Sequence, residues 1–296
     1  MTTPADVKQQ VRQFYDQVGW QEVSEGTYQN AHYEDLRPVA REYIHHCHQR
    51  VMQHINAQGR FLLDAGSGPI QYPAYLEYSQ GYRYRVCADI SIQALQEARK
   101  RIGEHGLFAV ADIANLPFAA DVFGGVVSLH TIHHLPEDEH LRAFQELQRV
   151  LSPGESAVVV NGWPESRLMK RLDPLVRLGL RLRSLTARLA GKETPQPKRS
   201  KNPAPSDAAP AKGTFINRHG AEWLKGEVGS RMPVEVLVWR SVSVRFMRSL
   251  IHPWLGGRYW LRLLYRLEER YPHWFGENGQ YPLIVIRKNG HGTQVE

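Results

Sequence analysis

The stretch LLDAGSGPI, from Leu62 to Ile70, decides the fold, because an apolar run leads without interruption into two glycines. A short apolar run that ends in a glycine turn is typical of a buried strand. Gly66 and Gly68 permit a tight turn and let backbone N–H groups approach a ligand. A purely structural connection between a strand and a helix would also fit this turn, so the surrounding pattern must decide.

Short apolar strands alternate with helical stretches on both sides of this turn. The pattern predicts strands at FLLD, YRVCA, LFAV, FGGVVSL, SAVVVN and YPLIVI, and one more across residues 234–244. It predicts helices over residues 5–18, 38–57, 71–80, 92–102, 137–149, 219–228 and 257–270. Such β-α-β alternation indicates a parallel sheet covered by helices on both faces, with its core from about residue 60 to 161.

The composition is that of a globular protein and excludes a wholly disordered one. The chain has 296 residues, of which 42% are hydrophobic and 23% are charged. Two cysteines are too few for a disulfide framework and indicate a reducing compartment. The polar N-terminal residues do not resemble a secretory signal, and no run approaches the roughly 18 apolar residues of a membrane span. We therefore expect a cytoplasmic protein.

An aspartate follows each of three successive strands. Asp64, Asp89 and Asp112 all come at predicted strand ends, so they converge on one crevice at the carboxyl edge of the sheet. Each one taken singly is compatible with a helix cap. A dinucleotide-binding turn requires a third glycine where this chain has Gln71. A carboxylate at Asp64 favours a ligand with an ammonium group, whereas it would repel a pyrophosphate.

The motifs LLDAGSG, VCADIS, VADIANLPF, FGGVVSLHTIHHLP and LQRVLSPGESAVVV resemble those of class I S-adenosylmethionine-dependent methyltransferases. They are most similar to the type 11 group, which includes ubiquinone, menaquinone and many natural-product methyltransferases. The resemblance covers roughly residues 60 to 161. It implies a Rossmann-like seven-stranded, mostly parallel sheet with an antiparallel last strand and a helical cap. The cofactor it implies is S-adenosylmethionine.

The same resemblance implies which residues bind the cofactor. It assigns the methionine moiety to the glycine turn, the ribose to the end of the second strand and the adenine to the end of the third. These residues are Asp64, Ala65, Gly66, Ser67 and Gly68, then Asp89 and Ile90, then Asp112 and Ile113. Two positions depart from the family pattern, since Ile70 replaces a frequent glycine and Gly124 replaces a frequent aspartate.

Three histidines in LHTIHHLP follow the fourth strand, beside the expected position of the transferable methyl group. His130 and His133 are the catalytic candidates, because a neutral imidazole can remove a proton near pH 7. His130 is also expected to contact the cofactor, and its backbone alone would suffice for that. The alternative for His134 is that it caps or packs the following helix.

Aromatic residues precede the sheet core. By the resemblance, an N-terminal helix closes over the cofactor, so Tyr15 is a candidate to line the site and act in catalysis. Tyr28 is a candidate to reach the methionine end of the cofactor. Ordinary aromatic packing of a helix is the alternative for both. The run of His45, His46 and His48 does not predict a metal site, because adjacent helical side chains point about 100° apart.

The segment from residue 165 to 201 holds the charge excess of the chain. The whole chain carries a formal charge of +7, and this segment alone has eleven Lys or Arg against three Asp or Glu. Its net charge of +8 leaves the rest of the chain at −1. Leucines alternate with arginines here, and the interpretation that this pattern favours most is a cap over the active site. Contact with an anionic membrane is second and nucleic acid is the least favoured partner.

These observations predict four regions. They are an N-terminal helical cap at 1–57, a cofactor-binding core at 58–163, a basic insertion with a Pro-rich loop at 164–213, and the remainder of the fold at 214–296. The predicted function is methyl transfer from S-adenosylmethionine to an apolar or aromatic small molecule that is quinone-like, lipid-like or a natural product. The alternatives are an RNA methyltransferase and a non-catalytic, membrane-associated binding protein. We expect no metal.

Overall fold

A seven-stranded sheet forms the centre of the protein, in a computed structural model that describes residues 3–20, 22–24, 27–28, 34–189 and 214–290. A separate hairpin pairs β1 (Glu22–Ser24) with β2 (Thr27–Tyr28). The strands of the large sheet are β3 (Gly59–Ala65), β4 (Tyr82–Asp89), β5 (Gly106–Val110), β6 (Gly125–Leu129), β7 (Ser156–Val160), β8 (Val234–Arg240) and β9 (Tyr281–Arg287).

The strand order is β5-β4-β3-β6-β7-β9-β8, and β9 runs antiparallel to both of its neighbours. The order reverses between β3 and β6, because the chain leaves β3 toward β4 on one side and returns through β6 on the other. Ligands bind at such a reversal in open α/β sheets. The predicted seven-stranded, mostly parallel sheet with an antiparallel last strand is confirmed.

Helices cover both faces of the sheet. They are α1 (Pro4–Phe14), α2 (Arg41–Gln49), α3 (Ile92–Ile102), α4 (His140–Val150), α5 (Arg167–Leu189), α6 (Ala221–Trp223), α7 (Val244–Leu250), α8 (Gly257–Arg270) and α9 (Pro272–Asn278). Local sequence explains several starts. Thr3 and Asp6 form a capping box at α1, and the hydroxyls of Ser91 and Ser243 cap α3 and α7.

Several predicted elements are shorter than the patterns suggested. The helix expected over 71–80 is a 3₁₀ turn at Pro73–Ser79, and the one expected over 38–57 changes to a 3₁₀ turn at Arg50–His54. The strand expected across 234–244 ends at Arg240, because the Ser243 cap starts α7. The predicted four-region division stays a prediction. Its Pro-rich loop, from residue 192 to 213, lies outside the described residues.

Two apolar cores lie on opposite faces of the sheet, because successive side chains of a strand point to opposite sides. Leu62 packs with the N-terminal helices, while its neighbour Leu63 packs with α4. Val158 and Val159 of β7 divide in the same way. Each central strand therefore packs against the helices on both faces of the sheet. This packing fixes the position of its carboxyl end.

A buried carboxylate ties the N-terminal region to the far edge of the sheet. Glu268 of α8 accepts hydrogen bonds from the Tyr43 hydroxyl at 2.7 Å and from Arg50 Nη1 at 3.0 Å. It also accepts the backbone N–H of Ser241 at 3.0 Å. The adjacent Glu269 binds Arg50 Nε at 2.8 Å, but its side chain is 42% exposed.

We expect Glu268→Gln to lower the free energy of unfolding by about 3 kcal/mol, because it removes the buried charge that faces Arg50. Glu269→Gln is the matched control on the same guanidinium and should cost less than about 1 kcal/mol, since water screens that pair. Urea unfolding followed by circular dichroism measures both. Equal losses in the two variants would show that burial does not govern this network.

Candidate functional site

An open cleft lies at the carboxyl edge of the sheet, where β3 and β6 lie side by side. The chain segments after β3, β4, β5 and β6 form its floor, and α1 with the following turn forms one wall. The lining residues used below are Lys8, Tyr15, Trp20, Asp64, Gly66, Gly68, Gln71, Asp89, Asp112, His130, Thr131 and His134.

The glycine turn of the cleft has a conformation that side chains rarely adopt. Gly66 has φ +78° and Gly68 has φ +52°. A Cβ on Gly66 would lie 2.2 Å from Cγ2 of Thr131, and a Cβ on Gly68 would lie 2.9 Å from the Trp20 ring. Ile70 adopts φ +54° and is fully buried, so the missing third glycine leaves a strained backbone rather than a different turn.

Asp64 forms a buried ion pair beneath the turn. Its Oδ2 accepts Arg85 Nε at 3.1 Å and Arg85 Nη2 at 2.5 Å. Both side chains are almost fully buried. No hydrogen bond involves Oδ1 of Asp64 within the described ranges, and Asp64 lines the cleft. The carboxylate is therefore held by Arg85 through one oxygen, and its second oxygen can accept a donor from a ligand.

Asp89 is fixed by backbone donors instead of a cation. Its Oδ2 accepts Gly68 N–H at 2.8 Å, and its Oδ1 accepts Ser91 N–H at 2.8 Å. Burial raises the pKa of Asp89 to about 6, although these two hydrogen bonds act against the rise. Each oxygen retains a lone pair for the cleft, so the carboxylate is preorganised to accept two hydroxyl groups.

Lys8 of α1 closes the cleft over the third aspartate. Its Nζ lies 2.6 Å from Oδ2 of Asp112 and 2.5 Å from Oε2 of Glu139. Burial lowers the pKa of Lys8, but the hydrogen bonds to Asp112 and Glu139 outweigh it and raise the pKa above its usual value. Oδ1 of Asp112 accepts Ala114 N–H at 2.9 Å. The N-terminal helix is thus attached to the cleft by charge.

Tyr15 and His134 form a hydrogen-bonded pair in the wall of the cleft. Tyr15 Oη lies 2.7 Å from His134 Nε2, and His134 Nδ1 lies 2.8 Å from the carbonyl oxygen of Phe215. A carbonyl only accepts, so Nδ1 carries the proton and Nε2 accepts the Tyr15 hydroxyl. Burial lowers the pKa of His134 to about 4, so the imidazole is neutral at pH 7.

The other two histidines have different positions. His130 lines the cleft with φ +58°, and burial together with the charge of Arg240 lowers its pKa to about 3. His133 does not line the cleft as described. It is buried with its Nδ1 2.6 Å from Asn161 Oδ1, and burial lowers its pKa well below the usual value. A catalytic role for His133 stays a prediction, and in the turn after β6 it is His134 that lines the cleft.

The cleft collects most of the residues predicted from sequence. Ser67, Ile90 and Ile113 line it, together with Asp64, Gly66, Gly68, Asp89, Asp112, His130 and Tyr15. Ala65 does not, because it is fully buried in the strand, where its carbonyl accepts the Ser128 hydroxyl. The Tyr28 side chain lies outside the described part of the chain. Their roles toward a cofactor stay predictions.

Further residues line the cleft that the sequence pattern did not predict there, namely Lys8, Trp20, Gln71, Thr131 and His134. Oε1 of Gln71 is buried without a hydrogen-bond partner in the described structure, which is a feature of a site built to receive a donor. In the same described ranges, no three His, Cys, Asp or Glu side chains gather in a position to hold a metal ion. No described helix is long and apolar enough to cross a membrane.

The residues present fit S-adenosylmethionine. Gly66 and Gly68 line the cleft without side chains, so the turn itself takes up little of its space. Oδ1 of Asp64 and Oε1 of Gln71 are acceptors for an ammonium group. Asp89 offers two fixed oxygens to a pair of ribose hydroxyls. An acidic acceptor set of this kind suits an amino acid and a nucleoside, and it does not suit a pyrophosphate.

The chain is similar to known methyltransferases. Residues 63–159 match the family model described as a methyltransferase domain. A curated relative, the methyltransferase GfsG of Streptomyces halstedii, is 32% identical over 101 residues, which are 32% of this chain and 35% of that protein. The matched segment thus spans about a third of this curated relative.

Solved structures share the fold at low sequence identity. Geranyl diphosphate C-methyltransferase from Streptomyces coelicolor A3(2) has a TM-score of 0.53 at 14% identity, covering 95% of this chain and 98% of that one. Phosphoethanolamine N-methyltransferase 2 of Haemonchus contortus, solved with S-adenosylmethionine, has a TM-score of 0.53 at 15% identity, covering 94% and 60%. The [4+2]-cyclase SpnF has a TM-score of 0.51 at 17% identity, covering 96% and 97%.

The fold and the acidic cleft define the class I methyltransferase architecture, whose cofactor is S-adenosylmethionine. Within that architecture, residues 63–159 are a methyltransferase domain similar to the type 11 group of S-adenosylmethionine-dependent methyltransferases.

The raised pKa of Asp89 predicts a pH-dependent affinity for S-adenosylhomocysteine. Below about pH 6 the free protein holds a proton on Asp89 that must leave before both oxygens accept ribose hydroxyls. The dissociation constant should therefore be constant above pH 7 and rise by about tenfold per pH unit well below pH 6. Calorimetric titrations from pH 5 to 8 measure it.

Asp89→Asn is the control, because it keeps the shape of the side chain and cannot titrate. We expect it to bind more weakly by about tenfold at pH 7.5 and to lose the pH dependence. The histidines of the cleft do not interfere, since the pKa values of His130 and His134 lie near 3 and 4. A pH dependence that survives in this variant would assign the proton to another group.

Proposed function

We propose that this protein transfers a methyl group from S-adenosylmethionine to a small molecule that has an apolar or aromatic body. The observation that carries the proposal is the hydrogen-bonded pair of Tyr15 and His134 in the wall of a cleft that fits the cofactor. The cofactor supplies an electrophilic methyl group on a positively charged sulfur. The protein then has to align the acceptor atom and take up its proton.

The Tyr15–His134 pair can take up that proton. When the acceptor oxygen, nitrogen or carbon forms its bond to the methyl carbon, the carbon–sulfur bond breaks and the acceptor atom releases a proton. Tyr15 Oη accepts this proton while its own proton moves to Nε2 of His134. Nδ1–H of His134 stays bonded to the Phe215 carbonyl at 2.8 Å, which orients the ring and stabilises its charged form.

The neutral state of His134 is set by its surroundings. Burial lowers its pKa to about 4, and the nearby Arg218 guanidinium contributes to the fall, although the bond to Phe215 acts against it. The ring is therefore unprotonated throughout the physiological range and available at the start of each cycle. It is also a weak base, so it gives its proton back to water readily once the product leaves.

An acceptor with an apolar body is supported by the wall of the cleft beside this pair. Val11, Leu129 and Leu135 line it together with the Trp20 ring, which stacks on Tyr15 with 4.9 Å between ring centroids. Apolar walls with a few convergent polar groups are typical of sites for small organic molecules. The acceptor class suggested by sequence, an apolar or aromatic small molecule, is retained as part of the proposal.

Methyl transfer is tested with S-adenosylmethionine labelled on the methyl carbon, offered with a panel of phenols, aromatic acids and prenyl compounds. We expect label in the small-molecule fraction and 1:1 binding of S-adenosylhomocysteine by the same protein. One structural neighbour is described as a cyclase, so the fold alone does not establish methyl transfer. Binding of S-adenosylhomocysteine without any labelled product would contradict the proposed methyltransferase activity. Absence of binding would overturn the cofactor assignment itself.

Tyr15→Phe and His134→Gln then separate proton removal from binding. Both should lower kcat by about 10² or more, and each should change the affinity for S-adenosylhomocysteine by less than about threefold. His133→Gln is the comparison, since His133 bonds to Asn161 and does not line the described cleft. A loss confined to His133→Gln would restore the sequence-based assignment and remove Tyr15 and His134 from the mechanism.

Helix α5 supports a second property, which is contact with an anionic membrane surface. Leu175 and Leu178 of this helix are 52% and 53% exposed, so they do not point into the protein as a cap would require. Gly179 packs against Leu250 of α7, and Trp254, which follows α7 in the chain, is 78% exposed. Exposed apolar side chains among arginines suit the interface of a bilayer with anionic headgroups.

Vesicle sedimentation tests this property. The full chain should bind vesicles rich in phosphatidylserine and bind pure phosphatidylcholine vesicles at least about tenfold more weakly at low salt. Leu175→Ser with Leu178→Ser should lower the bound fraction severalfold. Leu107→Ser is the matched control, because Leu107 is 43% exposed on β5 at the opposite edge of the sheet. Equal binding by all proteins would place the contact elsewhere.

A further inference from the structure

Four strand ends meet beside the cofactor cleft and form a second polar region. His130 follows β6, Gly162 follows β7, Tyr281 begins the antiparallel β9 and Arg240 ends β8. Tyr281 and Arg240 are register partners, so their side chains lie at the same edge. The His130 ring lies 5.7 Å from the Tyr281 ring, centroid to centroid. This region, here called the β7–β8 pocket edge, thus lies next to the cleft at His130.

Arg218 reaches the β7–β8 pocket edge from the loop before α6. A Cβ built on Gly162 would lie 3.5 Å from both Cζ and Nε of Arg218 and 3.5 Å from Cε1 of Tyr281. The guanidinium therefore rests on the backbone of Gly162, at the carboxyl end of β7. A Cβ at this position would be in ordinary van der Waals contact with the guanidinium.

Arg218 has no anionic partner among the residues that the structure describes. It takes part in no salt bridge there, and its Nε is buried without a hydrogen-bond acceptor. The nearby Glu137 is already bonded to Asn217 Nδ2 at 2.9 Å. A buried donor without a partner costs free energy, and a guanidinium is the side chain best suited to a carboxylate or a phosphate.

A second guanidinium lies at the same edge, but it has an anionic partner. Arg240 is 2% exposed and lies with its Cζ 4.6 Å from the Tyr281 ring centroid. It pairs with Glu34 at 2.9 Å, and its Nε is also buried without a partner in the described structure. Burial would raise the pKa of Glu34, but His48 and Arg240 hold it at about 2. Arg240 is thereby neutralised, whereas Arg218 is not.

The charge of Arg218 also acts on the three nearby histidines. Burial is the largest cause of the low pKa values of His130, His133 and His134. The charge of Arg218 is one of the smaller causes that lower them further. All three rings are neutral at pH 7, so they neither neutralise the charge of Arg218 nor add a further positive charge to it. The edge therefore carries one uncompensated positive charge directly beside the pair that takes up the acceptor proton.

We propose that Arg218 binds an anionic group, a carboxylate or a phosphate, on the methyl acceptor. The inference rests on the proposed methyl transfer and specifies its substrate class as an acidic molecule with an apolar body. The anion would lie over Gly162, bonded to Arg218, while the apolar body reaches past His130 toward Tyr15. Arg218 in this proposal sets which acceptors bind and does not take part in the chemical step.

Benzoate, phenyl phosphate and the uncharged benzamide are the probes, because they share one aromatic ring and differ in the polar group. Their affinities are measured by ligand-observed NMR with protein saturated with S-adenosylhomocysteine. We expect at least one anion to bind about tenfold more tightly than benzamide. The stronger of the two anions tells a carboxylate acceptor from a phosphate one.

Arg218→Gln should bring the three affinities within about twofold of one another, while Arg218→Lys should retain part of the preference. Arg231→Gln is the matched control, since Arg231 is exposed near the amino end of β8 and pairs with Glu227. Melting temperatures of all variants check the fold. An equal affinity for the three probes in the unaltered protein, no saturable anion binding, or a preference that survives Arg218→Gln would each overturn the proposal.

Calorimetry with S-adenosylhomocysteine on the same samples separates the two levels of inference. Normal binding with no anion preference would reject the acidic acceptor and leave the proposed methyl transfer standing. If S-adenosylhomocysteine does not bind, the proposed function fails, and the probes are then compared in the protein without it. An anion preference that depends on Arg218 in that case would still assign the anion site.

Discussion

The backbone of Gly66 passes Thr131 with no space for a side chain between them, and the site depends on this approach. A Cβ on Gly66 would lie 2.2 Å from Cγ2 of Thr131. The contact exists because β3 and β6 are neighbours at the point where strand order reverses, so the turns that leave them share one crevice. The Thr131 hydroxyl donates to the Gly66 carbonyl at 3.2 Å and fixes this distance. The residues after β6, including His134, are thereby placed opposite the glycine turn.

Charge divides the carboxyl edge of the sheet into two halves. On the β3, β4 and β5 side lie three aspartates, and on the β7, β9 and β8 side lies Arg218, next to Arg240, which Glu34 neutralises. Each aspartate is held in a different way, Asp64 by Arg85, Asp89 by two backbone N–H groups and Asp112 by Lys8. Opposite signs at the two ends suit a reaction between a cationic donor and an anionic acceptor, because each molecule is repelled from the other's end. His130 lies at the boundary.

The fold was predictable because its evidence is local. Apolar strands, Gly66 and the aspartates at strand ends follow from short-range pattern, and the antiparallel β9 followed from the resemblance. The choice between His133 and His134 was not predictable, since adjacent residues in a 3₁₀ turn point in different directions and packing selects one. The sequence did not indicate Arg218 as a binding residue, because that role depends on its position beside Gly162, which is far from it in sequence. The roles of all these residues toward a ligand stay predictions.

The N-terminal helix adds a constraint on how a cofactor enters. Lys8 binds Oδ2 of Asp112, the carboxylate that the family resemblance assigns to adenine. A ligand that takes the position of the ammonium must displace Lys8, and unpairing a partly buried ammonium is costly. Glu139 removes most of that cost, because it lies 2.5 Å from the same Nζ and keeps Lys8 paired after Asp112 is released. Since α1 leads directly to Tyr15 and Trp20, its attachment through Glu139 keeps the wall of the cleft in place while adenine binds.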